Sequence, residues 1–276
     1  MRLLRPHRPY PENNDEGAPG NPAPPAYTPD TPATRADMRA YAASAHKADD
    51  CFERGFDALR HTGLDQRAII IVSTDHGPPF PWAKCNLNDA GTGVMLMMRL
   101  PGVDRPMSTD ALVTHLDIRP TLHEALGLPP ENACEGKSLL PLIRGETAKL
   151  HGQVFAKLNF HVAYEPVRSV KTDQYRYTRR FDPEHPHPAV VNMDGSPSKQ
   201  ALLDAGLRDT ALARETLHDL LLDPTGNRNL IDAPAQAAVV DELRSSLHRW
   251  MERTVDPLLC GPVSPPPGVT LSSPDA

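Results

Sequence analysis

Apolar positions recur every three or four residues along one early stretch of the chain: Met38, Tyr41, Ala45, Ala48, Phe52, Phe56 and Leu59. That spacing predicts an amphipathic helix with one core-facing side. Thr31 stands where an N-cap belongs, Pro32 at the first helical position and Gly63 just past the far end, so both boundaries carry local signals. Asp49-Asp50 falls within this helix and is expected on its solvated face. The period then changes. Residues 68–73 form a continuous run, Ala-Ile-Ile-Ile-Val-Ser, which predicts a strand buried on both faces of a parallel sheet. Residues 94–100 predict a second strand ended by Pro101-Gly102, and residues 117–126 a second helix that tolerates Pro120 in its first turn.

From Val154 onward the texture is different. Residues 154–157, 167–170 and 175–179 read as short antiparallel strands rich in Tyr and Val, and Val240, Leu243, Leu247 and Trp250 form a stripe on a helix over 236–253. The expected fold class is α/β, a sheet flanked by helices over residues 31–146, followed by a small α+β C-terminal lobe over 147–256. A Pro-rich loop segment over 1–30 precedes these and a loose Pro-rich tail over 257–276 follows them.

Composition narrows the function classes. The 276 residues carry 29 Lys+Arg against 35 Asp+Glu, a formal charge of −6, which argues against a nucleic-acid or anionic-membrane binder because either needs a basic face. The 39% hydrophobic share suffices for a buried core. No apolar run approaches the roughly 20 residues of a membrane span, and the stretch after Met1 is too short and interrupted for the h-region of a signal peptide. Cys51, Cys85, Cys134 and Cys260 are far apart without a CxxC pairing, so neither a zinc module nor a disulfide framework is indicated and the redox compartment stays open.

Two segments carry candidate chemistry. Ser73-Thr74-Asp75-His76-Gly77 sets a carboxylate and an imidazole just beyond the carboxyl end of the first predicted strand, the edge at which open α/β sheets bind ligands. Asp offers hard oxygen to Mg²⁺ or Ca²⁺, and His offers nitrogen to softer metals or a hydrogen bond to an anion; an Asx turn followed by a surface His fits the same spacing. Lys84 follows on a stiff loop, Pro78-Pro79-Phe80-Pro81-Trp82-Ala83. Such a loop can hold an ammonium over an anionic group, and a solvated surface Lys fits equally. His161, His185 and His187 lack i, i+4 ligand spacing and read as structural or solvated.

These segments together resemble the second half of the catalytic domain of the sulfatases, members of the alkaline phosphatase superfamily. The resemblance runs through Thr31-Pro32, residues 69–77, Lys84, Gly91-Thr92 and Arg99-Leu100-Pro101-Gly102. It continues through residues 115–122, residues 136–142, Leu217-His218-Asp219-Leu220, Asp223-Pro224 and Asn229-Leu230. Pro79-Phe80-Pro81, Arg168-Ser169-Val170 and residues 256–260 are most similar to the heparan N-sulfatase (sulfamidase) branch and its bacterial relatives. The resemblance implies a partial sulfatase-like sheet and hydrolysis of a sulfate ester or sulfamate, in a sulfated small molecule or glycan, by a formylglycine hydrate beside a divalent metal. Ca²⁺ is the first expectation, with Mg²⁺ or a transition metal open because His76 stands where many sulfatases have Asn. Asp75 and His76 match metal ligands, and Lys84 matches a sulfate-contacting base. Arg168 is a further candidate, since a sulfated sugar needs a guanidinium partner. A homodimer is left open.

The departure is as informative. Formylglycine is made in a C/S-x-P-x-R motif, and Cys51, Cys85 and Cys134 lack the Pro, while Cys260-Gly261-Pro262-Val263-Ser264 lacks the Arg. Residues 6–11 resemble a sulfatase region in which Leu4 replaces the sulfate-contacting His, leaving His7 a loop residue. The expectation is a truncated gene or a misplaced start codon, with no catalytic nucleophile and no turnover by these 276 residues. A non-catalytic remnant that binds a metal or an anionic glycan, and a phosphate ester hydrolase of the same superfamily, remain as alternatives.

Overall fold

The computed structural model describes residues 6–10, 20, 22–103, 105–130 and 134–276; Leu4 and much of the predicted Pro-rich segment over 1–30 lie outside them. Helix α1, Pro32–His61, begins where the sequence predicts. The Thr31 hydroxyl accepts from the Thr34 amide at 3.2 Å and the Thr34 hydroxyl accepts from the Thr31 amide at 2.9 Å, a reciprocal capping box that satisfies donors the helix start leaves orphaned. Gly63 follows the last turn in the left-handed region, φ 67. Asp49 and Asp50 are exposed, as expected.

Strand β1, Ile70–Ser73, departs from expectation. It pairs antiparallel with β2, Leu96–Arg99, in a two-stranded sheet, and Val72 is its one buried residue. The connection, residues 74–95, is long enough for a parallel crossover but lacks the packed helix that such a crossover usually carries. Here the return runs through a Pro-rich loop and the four-residue helix α2, Asp89–Thr92. Helices α3, Ile118–Ala125, and α4, Leu140–Arg144, follow, stitched by buried Asp117. Its carboxylate accepts from the Thr114 and Lys137 amides at 2.7 and 2.8 Å and lies 2.9 Å from His151 Nε2.

The C-terminal strands β3, Val154–Phe160, β4, Tyr164–Lys171, and β5, Tyr175–Arg180, form an antiparallel meander closed by β6, Glu215–Asp219. Helix α5, Pro197–Asp204, lies between β5 and β6 in sequence and packs on α1. Helix α6, Ala237–Arg253, lays its predicted stripe of Val240, Leu243, Leu247 and Trp250 on the sheet, where with Met251 it covers Val170, Tyr177 and Leu217. Trp250 stacks on Phe155 with ring centroids 4.9 Å apart.

Arg168 corrects an expectation. Its side chain is 0% exposed on β4 and faces Asp256, also 0% exposed, in a two-point pair of 2.6 and 2.8 Å. The remaining donors reach the Leu158 and Val167 carbonyls and the Asn159 side chain. All five guanidinium N–H bonds are thereby used, so Arg168 has none to offer a sulfated sugar. Its burial leaves a structural role.

Burial alone raises the Asp256 pKa, but the bonds from Arg168 and from the Leu258 amide outweigh it and hold the carboxyl below its ordinary value. A carboxyl lowered by folding adds stability above its unfolded pKa, about 3.9, and loses it as pH falls through the folded value. Asp256→Ala is expected to cost about 3–5 kcal/mol, because it strands a buried guanidinium, read as a drop in the urea midpoint at pH 7. The wild-type midpoint should fall below about pH 4, where the Asp256 variant shows a shallower further loss.

Candidate active site

The carboxyl end of β1 turns sharply into Asp75 and His76 because Gly77 permits it. A Cβ on Gly77 would lie 1.7 Å from the Ala90 carbonyl oxygen, and the Gly77 amide donates to the Gly91 carbonyl at 3.0 Å. The turn is thus pressed flat onto helix α2. Asp75 is 90% exposed, one oxygen accepting from the His76 amide. His76 Nδ1 lies 2.7 Å from the Gly77 carbonyl. Because a carbonyl only accepts, Nδ1 carries a proton, and in the neutral form of the ring the lone pair lies on Nε2. That atom is 3.8 Å from Asp75 Oδ2.

Lys84 is delivered by a strained loop. Trp82 at φ 62 and Cys85 at φ 66 both sit in the left-handed region, at roughly 1–2 kcal/mol each for non-glycine residues. Buried Phe80 and Ala83, together with the bond from Asn88 Nδ2 to the Trp82 carbonyl at 2.7 Å, hold that conformation. The Lys84 ammonium, on a side chain 11% exposed, donates to both oxygens of Asp194 at 2.9 and 3.1 Å. Asp194 lies two residues before Ser196, the N-cap of α5.

His161, in the turn between β3 and β4, joins this group. Burial pushes its pKa down, the cation of Lys84 and the ring of His76 push it further, and Asp194 opposes them. The structure therefore pairs Lys84 with Asp194 and sets His161 within electrostatic reach of both and of His76. Sequence reading found the first two. Asp194-Gly195-Ser196-Pro197 signals a turn and a helix start but says nothing of an ionic partner 110 residues away, and His161 has no spacing that distinguishes it. His185 instead pairs with Asp182 at 2.7 Å, Cys260 is exposed beyond α6, and all four cysteines are free.

One carboxylate oxygen and one imidazole nitrogen fit one edge of a divalent-cation shell. Ca²⁺ takes about six to eight oxygens, and among the described residues no group of three His, Cys, Asp or Glu side chains gathers for a metal. The pair supplies two donors of such a shell.

Residues 3–128 match the family model for sulfatases, and the chain resembles the sulfatases of the alkaline phosphatase superfamily. It is 30% identical over 259 residues to N-sulphoglucosamine sulphohydrolase of Homo sapiens, spanning 83% of this chain and 50% of that protein. It is 28% identical over 206 residues to an ulvan-active sulfatase of Formosa agariphila, spanning 72% of this chain and 40% of that one. A solved 2-O GAG sulfatase superposes with a TM-score of 0.65 at 22% identity, over 82% of this chain and 45% of that chain. A phosphonate monoester hydrolase from Silicibacter pomeroyi superposes at 0.60 and 21%, over 79% and 41%. The fold is thus sulfatase-like, and the chain spans about half the length of the curated relatives it matches, or less.

The His161 arrangement has a direct readout. By NMR its imidazole should titrate below the usual His value of about 6.5. Asp194→Asn removes the one charge that raises it and should lower the midpoint further, whereas Lys84→Met should raise it.

Proposed function

We propose that this protein contributes the metal-and-lysine half of a site that hydrolyses a sulfate ester or sulfamate in a sulfated sugar or aryl sulfate. The observation that carries the reading is the position of Lys84, held by a strained loop that leaves the same β1 end as the Asp75-His76 donor pair. Asp75 and His76 would hold one edge of a divalent cation, Ca²⁺ by the family resemblance, and Lys84 would face a sulfuryl oxygen. When bound, such a cation supplies Lewis-acid polarisation of the sulfuryl group. The chain's own contribution is an ammonium donor held in place by Asp194, which needs no reorganisation during the reaction.

The reading also requires a formylglycine and further metal carboxylates, which the resemblance places in polypeptide N-terminal to the matched stretch. The surface around β1 and β2 supports it. A two-stranded sheet is marginal by itself, and Phe56, Leu59, Ile70, Val72 and Met98 line an apolar groove beside Met97, which is 52% exposed. On this reading the remainder of the α/β sheet covers that groove.

The test is expression of the chain in its own reading frame, with whatever polypeptide precedes residue 1, together with a formylglycine-generating enzyme. Sulfate release from an aryl sulfate or N-sulfated glucosamine is expected, and Lys84→Ala should lower kcat/KM by about 100-fold or more. Residues 1–276 alone should release none. Absence of release by the longer form would end the reading.

A further inference from the structure

We propose that Asp194 sets the charge preference of this site, admitting a monoanionic sulfuryl group in preference to a dianionic phosphoryl group by neutralising Lys84. The inference rests on the reading of Lys84 as the group that faces the bound anion. Lys84 is the cation of the loop beside Asp75-His76, and both Asp194 oxygens already accept from its ammonium at 2.9 and 3.1 Å. Asp194 is 20% exposed, so its charge is weakly screened by solvent.

Three neighbouring groups bear on the charge around Asp194. His161 is held toward its neutral form by burial and by Lys84 and His76. The ammonium of Lys199 donates to the Met193 carbonyl at 3.2 Å, and its own pKa is lowered by burial and by Arg208. Tyr10, which also senses Asp194, is a phenol whose pKa burial pushes further up, so it is uncharged.

A sulfate monoester carries one negative charge at any pH of interest. A phosphate monoester, with a second pKa near 6, carries close to two at pH 8. Repulsion from a fixed carboxylate scales with the charge of the incoming group, so Asp194 penalises the dianion twice as much as the monoanion. Neutralised Lys84 remains a hydrogen-bond donor with one N–H beyond the two engaged, enough to orient a sulfuryl oxygen. The preference is built by a repulsive element rather than by an added attraction.

The test uses the 276-residue chain with phenyl sulfate and phenyl phosphate at pH 8, dissociation constants being read by NMR titration in wild type, Asp194→Asn and Lys84→Met. Wild type should bind phenyl sulfate more tightly. Asp194→Asn keeps the side-chain shape and should improve phenyl phosphate about tenfold more than phenyl sulfate. If Asp194→Asn does not fold, Asp194→Ser carries the same expectation. An unchanged ratio of the two constants, a parallel weakening of both, or a wild-type preference for phenyl phosphate would overturn the role of Asp194. Lys84→Met should abolish binding of both; if phenyl sulfate binds it as well as it binds wild type, or if wild type binds neither probe, the reading of Lys84 itself fails.

Discussion

Everything in the C-terminal lobe hangs on a pair of charges that water never reaches. Arg168 and Asp256 meet with both side chains fully buried, and removal of either leaves a desolvated charge without a partner. The pair ties the centre of the four-stranded sheet to the residues just after α6, so the helix that covers the core cannot slide without breaking it. With sheet and helix locked, the turn that carries His161 and the segment that carries Asp194 hold fixed positions opposite the Lys84 loop. The site is a consequence of that lock, even though neither Arg168 nor Asp256 reaches it.

Polar contacts tie the first part of the chain to the lobe. Buried Asp37 on α1, which also holds Arg8 of its own part at 2.6 and 2.8 Å, accepts from the Ser198 hydroxyl of α5 across the boundary at 2.5 Å. Lys171 reaches Asp89 at 2.9 Å, and Lys84 reaches Asp194. Polar contacts of this kind are directional and fix a single relative placement, because each partner left unpaired would be costly. The contiguous apolar core, by contrast, belongs to the lobe alone, between α6 and its sheet. The β1–β2 region has a small apolar interior and an open groove instead.

Placement also explains the electrostatic character of the candidate site. A lysine on a rigid loop is ordinarily a free point charge, yet Lys84 meets its counter-ion inside the protein. Its charge is balanced locally while its hydrogen-bonding capacity is partly retained. Beside it the exposed Asp75 carboxylate and the Nε2 lone pair of His76 offer donor atoms to a cation. On the function proposed above, the arrangement would separate two tasks, cation binding at the strand end and anion orientation at the loop.

Local signals alone determined the ends of α1, because Thr31, Pro32 and Gly63 act on backbone groups within a few residues of themselves. The stripe on α6 was equally legible, since helical periodicity is a local property and its core partner is a sheet of Val, Tyr and Leu. The Asp75-His76 turn and Lys84 stood out because they follow a recognisable strand and a stiff loop. Tertiary structure decided the rest. The strand over 68–73 looked buried on both faces, but it pairs antiparallel with β2, and sequence hydrophobicity does not encode a partner's direction. Arg168 read as an open guanidinium because nothing near it in sequence reveals Asp256, 88 residues on. Asp194 and His161 were invisible for the same reason: an ion pair or a shared field is made by folding distant segments together, and a linear pattern carries no record of it.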